Sequence, residues 1–227
     1  MRYMGGKMRI GKQLAAVIND FDPHHYHEPC CGMFSVGKHV KATIKTAADV
    51  NPDLIMLLKA VRDGWDDMPT HVTEDQYNEL KAAESSALRG FVGIGCSFFG
   101  KFFGGFARDP RMNDFGTIAR NNMRKLRPRL QGVDFTCQPY WEYEGEADLI
   151  YVDPPYKGTA NFESGLFDHD KFWAWVRKQT ARVLVSEYQA PDDFKVVWEK
   201  PVKTTMNSGK KGSKGHDRVE RLFCQKS

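Results

Sequence analysis

The sequence predicts an α/β fold with a doubly wound, Rossmann-like sheet and a small helical insert. Three observations predict it. Helical and strand patterns alternate through residues 1–63, strand patterns return through residues 131–227, and residues 64–130 break the alternation. The length of 227 residues suits one such domain with an inserted segment.

The first half of the sheet is predicted from short apolar and β-branched runs. Apolar residues recur at helical spacing through residues 9–20, which predicts a helix. A short strand is expected near Tyr26, followed by a glycine-containing turn and a second helix. The β-branched run over 43–49 predicts the next strand, and a proline then starts a helix over 52–65.

The insert and the second half of the sheet follow. Residues 73–91 predict one helix with Thr73 as its N-cap, and a glycine- and aromatic-rich segment comes after it. Strands are then predicted over 133–138, 147–153, 181–188, 194–200 and 218–225, with a helix over 169–180. The glycine- and lysine-rich stretch 207–217 is expected to join two antiparallel strands.

The composition favours a cytoplasmic protein. Hydrophobic residues make up 41% of the chain, which is enough for a core. No apolar run approaches the ~20 residues of a membrane span, and the first residues lack the apolar core of a secretory signal. Five cysteines form an odd set without framework spacing, which indicates reduced thiols.

Positive charge is concentrated in the insert. Residues 100–130 hold eight Lys or Arg and two acids, a balance of +6, whereas the whole chain carries +4 and the rest therefore about −2. A basic segment on a nearly neutral body is typical of nucleic-acid binders, although a solvated helix face is the alternative. The candidate phosphate contacts are Lys101, Arg108, Arg120, Arg124 and Arg127, with Lys210 and Lys211 near the end of the chain as secondary candidates.

The most specific signal is Asp153-Pro154-Pro155-Tyr156, at the end of a predicted strand. Each proline fixes φ and removes a donor, and each holds the preceding residue extended. A carboxylate and a carbonyl then offer two acceptors for the two N–H groups of an exocyclic amino group, and the tyrosine ring offers a stacking face. The alternative is a kinked strand end with a buried tyrosine.

The loop from Glu28 to Gly37, "EPCCGMFSVG", and the acid Asp49 indicate a ligand at the carboxyl ends of two strands. Its glycines allow close backbone approach, and an acid at a strand end suits a ribose hydroxyl. The pattern is not G-x-G-x-x-G, and the glycines alone are equally typical of a turn. The histidines and cysteines nearby lack the spacing of a zinc site, so no metal is expected.

These motifs resemble the Dam-like DNA adenine-N6 methyltransferases, the alpha-group of the D12 class. "RYMGGK" is similar to the family's N-terminal cofactor motif, "EPCCGMFSVG" to the loop around the methionine part, and "ADVNPDLI" to the ribose-binding segment. "DPPY" with "TANF" resembles the catalytic loop. The glycine loop departs from the family, since Met33-Phe34 stand where one small residue is usual and Cys30 replaces an aromatic.

The resemblance implies an S-adenosylmethionine-dependent methyltransferase sheet with an inserted helical DNA-recognition lobe. Residues 1–63 and 131–227 would form the catalytic domain, and residues 64–130 the target-recognition lobe. It implies cofactor contacts from Tyr3, Lys7, Glu28, Pro29, Gly32, Ser35, Asp49, Gln138 and Asp153.

The implied reaction transfers a methyl group to adenine N6 in double-stranded DNA after base flipping. Asp153 and the Pro154 carbonyl would accept the amino protons, and Tyr156 would stack on the base. Cytosine N4, a catalytically inactive DNA-binding relative and RNA as substrate are the alternatives. We expect a monomer or weak dimer, and the compact length suits a bacterium or its virus.

Overall fold

The computed structural model describes residues 3–108, 114–156, 167–203 and 217–226, without the side chains of residues 203 and 217. Its strands are β1 (His25–Pro29), β2 (Ile44–Asp49), β3 (Val133–Cys137), β4 (Leu149–Val152), β5 (Arg182–Glu187), β6 (Phe194–Lys203) and β7 (Asp217–Gln225). They form one sheet in the order β3-β2-β1-β4-β5-β7-β6. The first five strands are parallel and β7 is antiparallel to both neighbours. This is the Rossmann-like α/β fold that the sequence predicts.

The α-helices of the described residues are α1 (Gly11–Asn19), α2 (Pro52–Arg62), α3 (Glu74–Ala82), α4 (Ala87–Gly95), α5 (Phe115–Leu126) and α6 (His169–Lys178). The N-cap predicted at Thr73 is confirmed, and the structure adds a second cap at Asn51, just before the proline predicted to start α2. Asn51 accepts from the N–H of Leu54 at the start of α2, and Thr73 forms a reciprocal capping box with Gln76 at the start of α3.

Two predicted helices are wrong. No α-helix follows the glycine loop after β1; the chain forms only a 3₁₀ turn, Gly37–His39, and Val40 is extended. The single helix predicted over 73–91 is divided into α3 and α4. Ala83 is extended, and the Ser86 side chain caps α4 by accepting from the N–H of Arg89. Serine favours caps over helix interiors because its hydroxyl competes for backbone groups.

The described part of residues 64–130 shares its core with the sheet. Alternate residues of β4 face opposite sides, so Tyr151 packs with α1, α2 and the helices of the insert, whereas Ile150 packs with α6. The insert joins α2 through a buried ion pair between Arg89 and Asp53, whose carboxylate also accepts from the N–H of Ser86 at 2.8 Å. A side chain at Gly90 would meet the Asp53 carbonyl oxygen at 2.3 Å, so this glycine permits close packing of α4 on α2.

The topology brings the ends of several strands to one edge. Because β1, β2 and β4 are parallel, the segments that follow them leave the sheet on the same side. Because β7 is antiparallel to β5, its first residues lie at that edge as well. None of the described helices is long and apolar enough to span a membrane.

Candidate active site at the carboxyl edge of the sheet

The loop after β1 closes on Asp49 at the end of β2. The N–H of Gly32 donates to Asp49 Oδ2 at 2.9 Å, and the N–H of Asn51 donates to Oδ1 at 3.0 Å. Burial raises the pKa of the Asp49 carboxyl, and its backbone donors oppose that shift. Each carboxylate oxygen has a second lone pair, so this acid can accept further hydrogen bonds from a ligand.

Glycine is required at position 32. Its φ of +48° is in the left-handed region, and a side chain there would meet the Tyr3 ring at 3.0 Å. Cys30 and Phe34 in the same loop have φ of +60° and +52°, which is costly for residues with a side chain. Phe34 is fully buried and packs edge-on against Phe135, so this large residue of the loop belongs to the core.

Glu28 and Ser35 are two polar residues of this same loop. Glu28 Oε2 accepts from the Tyr26 hydroxyl and from the N–H of Gly37, both at 2.8 Å, so the acid links the two ends of the loop. Burial raises the pKa of Glu28 to about 8, which makes the neutral carboxyl the main form near pH 7. Pro29 ends β1 as a buried residue. The Ser35 hydroxyl is buried without a hydrogen-bond partner among the described residues.

An ion pair joins the N-terminal segment to the end of β4. Lys7 Nζ lies 2.7 Å from Asp153 Oδ1, and the two side chains are only 8% and 18% exposed. Burial raises the pKa of Asp153, although the Lys7 ammonium works in the opposite direction. Pro154 and Pro155 follow the acid directly, with Pro154 buried.

Tyr156 is buried beside this pair. Lys7 Nζ lies 4.4 Å from the centre of its ring, and the Tyr188 ring packs edge-on at 4.6 Å. Its hydroxyl donates to Glu220 Oε2 at 2.8 Å. Sequence reasoning missed Glu220 and Tyr188. An acid inside the apolar strand run "RVERLF" was the available signal for Glu220.

Gln138 follows β3 at the same edge. Its backbone N–H donates to the carbonyl oxygen of Asp49 at 3.2 Å, so it lies next to the proposed ribose acid. The sequence motifs around Tyr3, Gly32, Asp49 and Asp153 are thus brought to one edge of the sheet.

The basic residues of the insert divide into two groups. Lys101 is exposed on a loop closed by a bridge between Ser97 and Phe106. The carbonyl of Gly100 in that loop accepts from the N–H of Met4 at 3.1 Å, which ties the loop to the N-terminal segment. Arg108 is exposed and pairs with Glu74 at 2.5 Å.

The arginines of α5 and the turn after it contact the end of α2. Arg127 donates to the carbonyl oxygens of Val61 at 3.1 Å and Trp65 at 2.7 Å, and to Asp66 at 2.9 Å. Arg124 lies 3.8 Å from Asp66 and is 46% exposed. Arg120 is half-buried, with its Nε unpaired among the described residues.

Lys210 and Lys211 lie outside the described residues, as does the segment "TANF".

The histidines near β1 bond to a threonine. His25 Nε2 lies 3.2 Å and His27 Nδ1 lies 2.8 Å from Thr46 Oγ1. Burial lowers the pKa of His27 to about 3, so the ring is neutral. Within the described residues, no group of three or more His, Cys, Asp or Glu side chains is arranged to hold a metal ion.

Residues 3–87 match the model of a family described as D12 class N6 adenine-specific DNA methyltransferase. They are fewer than half of the 227 residues, but they include Tyr3, Lys7, the glycine loop and Asp49. The match supports this family for that part of the chain. Among curated proteins, none matches the chain.

Solved structures resemble the chain weakly. A protein of Thermoplasma acidophilum is 13% identical, with a TM-score of 0.47, over 93% of this chain and 85% of its own. A magnesium protoporphyrin IX methyltransferase from Synechocystis PCC 6803 is 8% identical, with a TM-score of 0.43, over 98% and 81%. An N-methyltransferase from Bradyrhizobium japonicum is 10% identical, with a TM-score of 0.42, over 96% and 94%.

Proposed function

We propose that this protein transfers a methyl group from S-adenosylmethionine to the N6 amino group of adenine in duplex DNA. One observation carries the proposal. In the structure, Asp153 Oδ1 lies 2.7 Å from the Lys7 ammonium, which is an N–H donor. The same ammonium lies over the face of the Tyr156 ring. A site that accepts hydrogen bonds beside a flat ring suits the amino edge of a nucleobase. The D12 family match over residues 3–87 supports the same reaction class.

The cofactor fits the glycine loop and the acid that it contacts. Gly32 has a left-handed φ and leaves room for the Tyr3 ring, and its N–H orients the Asp49 carboxylate, so the loop holds two of the groups that we assign to the cofactor. Asp49 keeps lone pairs for ribose hydroxyls, and the unpaired Ser35 hydroxyl suits a polar group of the methionine part. Tyr3 and Gln138 border this loop and the acid.

S-adenosylmethionine, held by the glycine loop and Asp49, would supply an electrophilic methyl group, and the C–S electron pair would stay on sulfur when the amino nitrogen forms the new C–N bond. Asp153 and the Pro154 carbonyl accept hydrogen bonds from the two amino N–H groups, which localises the nitrogen lone pair. The methylated nitrogen then loses one proton to the Asp153 carboxylate, which passes it to solvent. Holding the two reacting groups in line supplies much of the rate, so no metal or covalent intermediate is required.

The base must leave the duplex to reach this edge of the sheet. We propose that residues 64–130 form the target-recognition lobe and that Lys101, Arg108, Arg120 and Arg124 contact the DNA. Phe98 and Phe99, beside Lys101, are 57% and 52% exposed, and their rings suit contact with base steps. Arg127 holds α2 and the turn after α5 together, so we assign it support rather than phosphate contact.

The test offers the purified protein labelled S-adenosylmethionine with duplex DNA or RNA, and analyses the product nucleosides by mass spectrometry. We expect N6-methyladenine in the DNA. N4-methylcytosine in the DNA would show that cytosine, not adenine, is the target base. Label found only in RNA would contradict the assignment of DNA as substrate. Sequencing DNA from expressing cells with detection of modified bases then gives the site.

A further inference from the structure

Glu220 reaches the candidate active site from β7, which is two strands away from β4 in the sheet. It lies near the start of β7, and this start is at the carboxyl edge because β7 is antiparallel to β5. Its side chain is 14% exposed. One oxygen, Oε2, accepts from the Tyr156 hydroxyl at 2.8 Å and lies 3.9 Å from Lys7 Nζ.

Lys7 therefore lies between two carboxylates. Its Nζ is 2.7 Å from Asp153 and 3.9 Å from Glu220, and it is 4.4 Å from the centre of the Tyr156 ring. Under the proposed function, the amino group of the target base must bond to Asp153 and the base must lie against the same ring. The ammonium and the base cannot occupy that position together.

A displaced ammonium needs another acceptor, because a buried charge that loses its partner is strongly unfavourable. Glu220 is the nearest second carboxylate to Lys7 among the described residues. A shift of roughly 1 Å would bring Nζ to the ~2.8 Å of a charge-assisted hydrogen bond. The same carboxylate would keep its bond to Tyr156, since each oxygen accepts more than one donor.

We propose that Glu220 is a positioning residue of this site. Its carboxylate holds the Tyr156 ring by the hydroxyl and receives the Lys7 ammonium when the target base binds Asp153. The inference rests on the proposed function. The inference adds Glu220 to the site, although this residue lies outside the Asp153–Tyr156 segment. It also gives the Tyr156 hydroxyl a role, which is to fix the ring to Glu220 while the face of the ring stacks on the base.

If Glu220 only supported the fold, Glu220→Gln would lose activity in proportion to its loss of thermal stability. The contacts around Tyr156 indicate that stability does not depend on this charge. Tyr188 packs edge-on against Tyr156, and Tyr188 is itself held by Arg218, which donates to its hydroxyl at 3.1 Å, and by Arg221, which donates to its carbonyl oxygen at 2.8 Å. These contacts do not involve Glu220. The ring should therefore stay packed when the Glu220 charge is removed, and the thermal midpoint should change little.

The test uses Glu220→Gln, which keeps an oxygen acceptor for the tyrosine but removes the charge. Tyr156→Phe removes the hydroxyl and keeps the charge. Glu142→Gln is the matched control, because Glu142 is an exposed acid away from this cluster. Each full-length variant is measured for cofactor affinity by calorimetry, thermal midpoint, KM for DNA and single-turnover methylation at saturating DNA.

We expect Glu220→Gln to lower the single-turnover rate at least about tenfold, within the ~10²-fold cost of misplaced groups. Cofactor affinity and the thermal midpoint should stay near wild type, and Tyr156→Phe should lose less. Combining Glu220→Gln with Lys7→Met should cost less than the product of the single losses, because both remove one interaction.

Three results would overturn the inference. These are a Glu220→Gln rate within about twofold of wild type, a loss that follows the thermal midpoint, and losses that multiply fully with Lys7→Met. If wild type methylates DNA and Glu220→Gln is unimpaired, this inference alone fails. A wild-type protein that binds S-adenosylmethionine but methylates no DNA would refute the proposed function and this inference with it.

Discussion

Three acids at the carboxyl edge of the sheet differ in what their carboxyl groups contact. Glu28 accepts only from protein groups and supports the glycine loop, with its pKa raised to about 8. Asp49 accepts from two backbone N–H groups and keeps lone pairs free. Asp153 is paired with a lysine. All three acids were predicted as site residues from the sequence. Only their contacts indicate that Glu28 supports the loop, whereas Asp49 and Asp153 are placed to bind ligands.

The Glu28 proton should make stability depend on pH. Between the ordinary pKa of 4.5 and the native value of about 8, the native state binds a proton that the unfolded chain has lost. The free energy of unfolding from this group therefore falls as pH rises through that range. Glu28→Gln mimics the neutral acid, so it should gain stability relative to wild type as pH increases.

Urea unfolding of both proteins at about pH 5.5 and about pH 8.5 checks this prediction. Glu142→Gln, which changes an exposed acid, is the control. A difference between Glu28→Gln and wild type that stays constant with pH would contradict the raised pKa.

Replacing Asp49 tests whether its carboxylate binds the ribose of the cofactor. Asp49→Ala removes a charge-assisted hydrogen bond to ribose worth roughly 1.5–3 kcal/mol, so affinity for S-adenosylmethionine should fall at least about tenfold. Calorimetric titration measures it, with Asp134→Asn as a control on the exposed side of the next strand. A folded Asp49→Ala protein with unchanged affinity would exclude the ribose contact.

At the scale of elements, the strands were predictable and the insert was not. Apolar and β-branched runs mark most of the strands, and Pro52 and the cap at Thr73 mark two helix starts. The break between α3 and α4 depends on the cap that Ser86 provides. In the sequence alone, a capping serine cannot be distinguished from a serine inside a helix. The helix α5 lies in the stretch interpreted from its charge, and its N-cap Asp114 was read only as an acid.

The insert offers a prediction that separates support from DNA contact. Arg127→Ala loses its bonds to Val61, Trp65 and Asp66, so the free energy of unfolding should fall by about 1–3 kcal/mol. Lys101→Ala and Arg124→Ala should leave stability nearly unchanged but each reduce the salt dependence of DNA binding by about one unit of slope. Thermal unfolding and binding titrations at several salt concentrations measure both. A stable Arg127→Ala protein with a reduced salt slope would reverse the assignment.

At the scale of the whole molecule, the topology creates the site from distant segments. Lys7, Asp153 and Glu220 meet although they lie at the start, middle and end of the chain. Motif order in the sequence predicted that Lys7 and Asp153 belong to one site. The contact with Glu220 was not predictable, because it depends on the antiparallel insertion of β7 beside β5 and on the register of that pairing.

The central claim is that Asp153 positions the amino group of a flipped adenine for methyl transfer. Asp153→Asn is nearly isosteric, but it replaces a charged acceptor by a neutral one roughly half as strong. Loss of one such positioned group typically costs about 10²–10³ in rate. The direct measurement is single-turnover methylation of a duplex substrate, read as N6-methyladenine by mass spectrometry, for wild type, Asp153→Asn and the control Asp134→Asn. The account predicts N6-methyladenine from wild type and the control, and a rate about 10²–10³ lower for Asp153→Asn. Near-normal turnover by a folded Asp153→Asn protein would contradict it.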